Sequence, residues 1–198
     1  MKLKHLIIFL FIAIAFSSQA QLRYGFRFGG DFAAASLKNA PDYSLVNGSG
    51  FTGGLMLEYQ FEKNGFAPDI ALTYARHNTR LSFNDEKPFS FGRNFIDVPI
   101  RFKYKFWLKS THELFAPMIY TGPLLSFRVD HNKAFPLKSK VFQPGWDVGI
   151  GFDAINFIQI TAGYRFGLGN AADSFSGCPD AVLHTNGWNI TANILFDF

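Results

Sequence analysis

The chain carries a single cysteine, Cys178, among 198 residues. One thiol excludes an intrachain disulfide framework and any zinc site built on several cysteines. Beyond residue 16 there is no apolar run approaching the roughly 20 residues that a membrane-spanning helix needs. If the rest of the chain enters a membrane, it does so as strands. Histidines are few and scattered: His5 lies near the amino terminus, and His77, His112, His131 and His184 fall in or near polar connections. No pair of them has the spacing of metal ligands, so neither a metal nor a cofactor is expected. Gly48-Ser49-Gly50-Phe51-Thr52-Gly53 spells G-x-G-x-x-G, but it leads into a strand pattern where a dinucleotide site requires a helix.

Residues 1–20 read as a secretory signal. Lys2 and Lys4 form a basic start, 6–16 is apolar, and Ser18-Gln19-Ala20 supplies small residues before a cleavage point at Gln21. No cysteine stands at that point, which argues against a lipoprotein. Residues 21–198 make one domain. Without Lys2 and Lys4 the chain has 17 basic residues against 15 acidic, a formal charge of +2 in place of +4. The sequence pI of 9.2 is therefore no argument for nucleic acid as a partner.

What the chain has in abundance is aromatic rings, 25 of them phenylalanine, and 18 glycines. They are arranged with period two. In 187–198, Trp188, Ile190, Ala192, Ile194, Phe196 and Phe198 share one face of an extended chain, and Asn189, Thr191, Asn193 and Asp197 share the other, with Leu195 out of phase. Seven earlier segments read alike: 22–34, 51–61, 66–75, 96–106, 115–129, 146–153 and 158–167. The clearest sets Ile96, Val98, Ile100, Phe102, Tyr104 and Phe106 against Asp97, Pro99, Arg101, Lys103 and Lys105. In 115–129, Met118 and Leu124 sit on the polar phase, and Pro117 and Pro123 predict bulges or distorted pairing. Lys63-Asn64-Gly65 predicts a tight hairpin. Connections alternate between long (35–50, 84–93, 130–144, 169–186) and short (62–65, 107–113, 154–156), the asymmetry of barrels whose long loops face the cell exterior.

Volume decides which face points inward. The interior of an eight-stranded barrel is only wide enough to be filled by side chains or to hold one small ligand. Roughly forty bulky apolar side chains do not fit there, so they face lipid. The fold class is all-β, an eight-stranded antiparallel up-and-down transmembrane β-barrel of the outer membrane of a Gram-negative bacterium. The inward face is then rich in glycine and in charge. Arg23, Arg27, Arg101, Lys103, Arg128 and Arg165 oppose Asp31, Glu58, Asp69, Asp97, Asp147 and Asp153, and such charges must pair to offset desolvation. A packed ion network is expected rather than an open pore. Tyr24, Tyr59, Phe61, Phe66, Tyr104, Phe106, Trp107, Trp146 and Trp188 are candidates for interfacial girdles.

Other chemistry finds weak support. Cys178, Asp180 and His184 share a segment without a second thiol, and a hydrolase set drawn from Ser82 or Ser126 with His77 and Asp69 has no supporting spacing. His131, Lys133, Lys138 and Lys140 are candidates for lipopolysaccharide phosphates. The run Arg101-Lys103-Lys105 is read as pairing with lumenal acids.

Asn94-Phe95-Ile96-Asp97-Val98-Pro99-Ile100-Arg101-Phe102-Lys103-Tyr104 resembles a segment of the PorT-type outer-membrane β-barrel family of Bacteroidetes. Tyr120-Thr121-Gly122-Pro123, Asp147-Val148-Gly149-Ile150-Gly151 and Tyr164-Arg165-Phe166-Gly167-Leu168 are similar to it as well. The resemblance implies an eight-stranded outer-membrane barrel, brings no catalytic residues, and associates the family's named member with type IX protein secretion. The expected role is non-enzymatic: an integral outer-membrane barrel that is structural or a docking surface in the envelope. Its partners would be outer-membrane lipid and lipopolysaccharide, secretion-system components, and the barrel-assembly machinery through Trp188, Ile190, Ile194, Phe196 and Phe198, with no nucleic acid. The alternatives are a lipid-modifying enzyme of the palmitoyltransferase kind, with His77 and Ser82 as first suspects, and a narrow solute channel.

Overall fold

A computed structural model describes residues 20–33, 36–39, 43–46, 48–61, 65–83, 89–106, 115–130, 137–155, 157–175, 180 and 182–197. Eight long strands dominate: β1 Ala20–Ala33, β2 Ser49–Phe61, β3 Phe66–Phe83, β4 Phe89–Lys105, β5 Phe115–Arg128, β6 Phe142–Ala154, β7 Ile158–Gly167 and β8 Gly187–Asp197. Each pairs antiparallel with its neighbours in sequence. β1 also pairs with β8, from Arg23↔Asp197 to Ala33↔Gly187, so the sheet closes. Closure is what a strand structure needs in hydrocarbon, where no water is available to satisfy an open edge.

The pleat sorts the side chains as period two requires. Leu55 and Ile150 are 60% and 65% exposed on the outer wall, whereas Arg27 and Glu58, on the inner wall, are 1% and 0% exposed. At the seam, Tyr24 stands opposite Phe196, Phe26 opposite Ile194 and Phe32 opposite Trp188. The out-of-phase residues go inward: Met118, Leu124 and Leu195 are all buried, Leu195 against Met56 and Ala71. Aromatic rings meet along both ends of the wall. Phe157, Phe196 and Tyr24 form one chain at the short-turn end, with centroids 5.3 and 5.6 Å apart. Phe166, Tyr164 and Trp188 form another toward the long-loop end, at 4.8 and 4.9 Å. On this outer wall the Trp146 indole N–H donates to the Thr121 hydroxyl at 2.8 Å, which satisfies a polar group that lipid would leave bare. Gly65, after β2, has φ 67°, the left-handed conformation that an Asn-Gly hairpin turn demands.

Of the two outcomes expected at the prolines of β5, the structure shows distorted pairing and no bulge: its pairing with β6 runs without a shift from Phe115↔Ala154 to Phe127↔Phe142. With β4 the rungs lapse between Pro99↔Leu124 and Phe102↔Thr121 and resume in the same register. A proline removes one N–H toward one neighbour, so a rung is lost without any residue being inserted. The Pro117 carbonyl still accepts from the Phe106 N–H at 2.8 Å.

The long connections, moreover, are partly strand. Residues 36–38 pair with 182–184 in the register of β1 and β8. Residues 43–46 pair with 80–83, only one residue out of the register of β2 and β3. Residues 137–139 pair with 172–175 as a continuation of β6 and β7, and β4 begins at Phe89, inside the segment expected to be a loop. The wall therefore rises beyond the apolar band as ribbons. These paired stretches are three or four residues long, too short for a two-residue period to stand out, although Leu183 and Ser139 are buried (0% and 3% exposed).

The apolar wall makes a quantitative prediction. Ile150, at mid-height between Ile119 and Ala162, should tolerate no charge. Ile150→Arg is expected to cost about 2–4 kcal/mol of folding stability, measured by urea titration in lipid vesicles. A cost near zero would place this face in water.

Candidate functional site: the filled lumen and its outer mouth

The inward residues meet in tiers. Nearest the short turns, Glu58 of β2 is the hub. Its carboxylate accepts from Lys103 Nζ at 2.6 Å, Lys105 Nζ at 2.7 Å, Arg23 Nη1 at 3.1 Å and Gln159 Nε2 at 2.9 Å. These donors come from β4, β1 and β7, so the contacts cross the barrel. Lys103 also donates to Gln159 Oε1 at 2.8 Å. Lys105 donates to Gln60 Oε1 and Asp153 Oδ2, each at 2.7 Å. Arg23 lies 3.2 Å from both Asp153 and Asp197.

At mid-height, Arg27 pairs with Asp69 at 2.9 Å and donates to Asn193 Oδ1 at 2.9 Å. Arg101 donates to Asp147 at 3.1 Å and stacks over the Tyr120 ring, 4.5 Å from its centroid. Tyr120 spans the lumen to Asn189 of β8, with its hydroxyl 3.3 Å from Oδ1. Two glycines make room for this ring. A Cβ at Gly149 would stand 2.6 Å from Tyr120 Cε1, and one at Gly163 3.0 Å from its Cζ.

Toward the long loops, Arg165 approaches Asp147 at 3.4 Å, Asp97 at 3.5 Å and Asp31 at 3.9 Å. His77 lies between Asp31 and Asp97, at 4.0 and 3.9 Å. Above this tier a recess encloses about 630 Å³ of space free of protein atoms and open to solvent. Asp31, His77, Arg93, Phe95, Ser126 and Arg165 help to line it. Among the described residues, no group of three or more His, Cys, Asp or Glu is arranged to hold a metal.

Of the charges expected in the lumen, Arg23, Arg27, Glu58, Asp69, Asp97, Arg101, Lys103, Asp147 and Asp153 are each at most 3% exposed, and Asp31 is 7% exposed. Arg128 sits apart near the outer rim, 3.5 Å from Asp130. Lys105 takes a place in the innermost tier. The uncharged members Gln60, Gln159, Asn189 and Asn193 were legible only as polar-phase positions, and Tyr120 had no polar-phase signal at all. Trp188, Ile190, Ile194 and Phe196 lie on the outer face of β8; Phe198 lies outside the described residues. So do Cys178, His112, His131, Lys133, Trp107 and the leader through residue 19.

The enzymatic suspects converge only in part: Ser126 and His77 line the same recess and both approach Asp97, whereas Ser82 and Asp69 stand apart from them. His77 and Ser82 are five residues apart on one extended strand, about 17 Å. Asp69 is eight residues from His77 on that strand, about 27 Å, and is engaged by Arg27 and Lys103. What the arrangement does chemically is neutralise and fill. Glu58→Ala would leave Lys103, Lys105 and Arg23 facing one another without their shared anion. It should cost about 3–5 kcal/mol in denaturant titrations of the folded barrel, with Glu58→Gln intermediate; a loss below 1 kcal/mol would mean that water does the work assigned to Glu58.

OprG of Pseudomonas aeruginosa superposes on this chain with a TM-score of 0.52 at 10% identity, covering 89% of this chain and 96% of that one. Neisserial surface protein A (NspA) gives a TM-score of 0.48 at 14% identity, covering 88% and 97%. At such identity the likeness to OprG speaks to fold alone. Among curated proteins no sequence matches. The sequence profile of the outer membrane protein beta-barrel domain matches residues 16–173. The chain belongs to that family, and its place is the outer membrane.

Proposed function

We propose that this barrel works through its outer surfaces, as a structural and docking element of the envelope, and neither conducts solutes nor carries out catalysis. The observation that carries this reading is the Glu58 tier. Side chains from β1, β2, β4, β6 and β7 close the lumen with hydrogen bonds of 2.6–3.2 Å. A solute would have to break several charge-assisted bonds at once. The ribbons above the apolar band offer backbone and polar side chains to partners outside the cell. In this reading the leader is removed before Gln21, and β8 is the strand that the barrel-assembly machinery engages. The resemblance of 94–104 to the PorT-type family supports a link to type IX secretion, with secretion-system components as the docking partners.

Single-channel recordings of the purified protein in planar bilayers are expected to show no discrete conductance steps, and regular steps would overturn the closed-lumen reading. Deleting the gene is expected to lower the amount of type IX cargo in the medium. Unchanged cargo would remove the secretion link and leave the barrel as a structural element.

A further inference from the structure

The outer wall of β3 changes character at its upper end. Ile70, Leu72 and Tyr74 face outward into the apolar band, and the same phase continues through Arg76, Asn78 and Arg80. Their inward neighbours Thr73 and Ala75 are buried, so the three polar side chains lie on the side away from the lumen. Arg76 and Arg80 are exposed. The lumenal arginines Arg23, Arg27, Arg101 and Arg165 are all ion-paired. Among the described residues, no carboxylate lies within ion-pairing distance of Arg76 or Arg80.

Height and shape point to the kind of anion that suits these two guanidinium groups. Tyr74 belongs to the outer girdle, its ring 6.3 Å from that of Phe51. Arg76 and Arg80 are two and six residues farther along, about 7 and 20 Å at strand rise. With a strand tilt near 40° these become about 5 and 15 Å of height. The first value falls in the headgroup layer next to the hydrocarbon. The second lies above a single phosphate layer, within reach only of a thick phosphorylated saccharide. The guanidinium of Arg76 lies beside Gly92 of β4: a Cβ there would stand 3.2 Å from Nε, 3.3 Å from Nη2 and 3.0 Å from Asn78 Oδ1. A planar donor fork held above an aromatic girdle suits phosphate oxygens. Among the described residues, the other exposed charges of the ribbons are Lys38 and Lys140 against Asp180.

We propose that Arg76, Asn78 and Arg80 form a binding strip for the phosphorylated headgroup of lipopolysaccharide in the outer leaflet, which holds the barrel at its depth in the membrane. This rests on the reading of the chain as an inserted barrel with its long connections outward.

The full mature protein in detergent micelles is titrated with rough lipopolysaccharide, intact or phosphatase-treated. Folding is checked by heat-modifiable gel mobility, and insertion by recovery of the protein in lipid vesicles. The double variant Arg76→Gln/Arg80→Gln should bind intact lipopolysaccharide about tenfold more weakly than wild type, a loss of roughly one decade expected for two surface guanidinium contacts. Arg76→Lys/Arg80→Lys should fall between them, and phosphatase treatment should abolish the difference. If a wild type that folds and inserts binds both lipids alike, or if the glutamine variant matches it within twofold, the strip is refuted while the barrel stands. A wild type that fails to insert would refute the barrel itself, and the strip with it.

Discussion

A narrow barrel that places charge inside must balance that charge within reach of each side chain, because little water shares the space. Arg23, Arg27, Arg101, Lys103, Lys105 and Arg165 face Asp31, Glu58, Asp69, Asp97, Asp147 and Asp153 across a lumen that eight strands leave barely wide enough for side chains. The pairing is not a matter of neighbours along one strand. Lys103 of β4 reaches Glu58 of β2 and Gln159 of β7, and Arg27 of β1 reaches Asp69 of β3. Slipping one strand by one residue would turn its cations into lipid and strand the acids they neutralise. The network thus fixes the register of the wall as firmly as backbone hydrogen bonds fix its closure.

The same requirement explains the glycines. An ion network with long Lys and Arg side chains and an inward tyrosine needs volume, and the wall supplies it where it has no side chain. Gly149 and Gly163 flank the Tyr120 ring, which in turn carries the Arg101 guanidinium on its face. One bulky residue is therefore admitted only at the cost of two empty positions on the facing strands. Apolar residues that enter, among them Met56, Phe95, Met118, Leu124 and Leu195, fill gaps that the polar tiers leave. They appear in the sequence as breaks in the alternation.

How much could be read beforehand follows from this physics. Where one face meets lipid and the other a polar lumen, the two-residue period is forced, and all eight barrel strands were legible from it. Above the apolar band no lipid holds the outer face to apolar residues, and the paired stretches are only three or four residues long. Residues 36–38, 43–46, 137–139, 172–175 and 182–184 stay paired with no pattern to announce them, and so they read as loops. Within the lumen, alternation identified which side chains point inward, but not which ones meet. Arg128 was grouped with the central charges, yet its height on β5 puts it beside Asp130. Pairing depends on strand tilt and stagger around the barrel, and a one-dimensional pattern does not encode either. For the same reason His77 and Ser82, close in sequence, are far apart on an extended chain.

The ribbons separate two tasks that the wall would otherwise have to combine. In the membrane each position is doubly constrained, by lipid outside and by charge balance inside, and little can change without loss of stability. Beyond it, strands 36–38 and 182–184 keep the register of β1 and β8, and 137–138 with 174–175 return to that of β6 and β7 after a one-residue shift at Ala172↔Ser139. There the backbone ladder is joined by local contacts, with Leu183 buried and its N–H donating to Asn170 Oδ1 and with Arg93 donating to the Ser139 hydroxyl, and lipid no longer constrains the outer side chains. Surface chemistry there is free to suit a partner without disturbing the network around Glu58. The transition is visible on a single strand: on β3 the outward phase passes from Leu72 and Tyr74 to Arg76 and Arg80 within a few residues. From Thr73 to Leu81, lipid, headgroup and water are met in turn by one unbroken run of backbone pairing with β4.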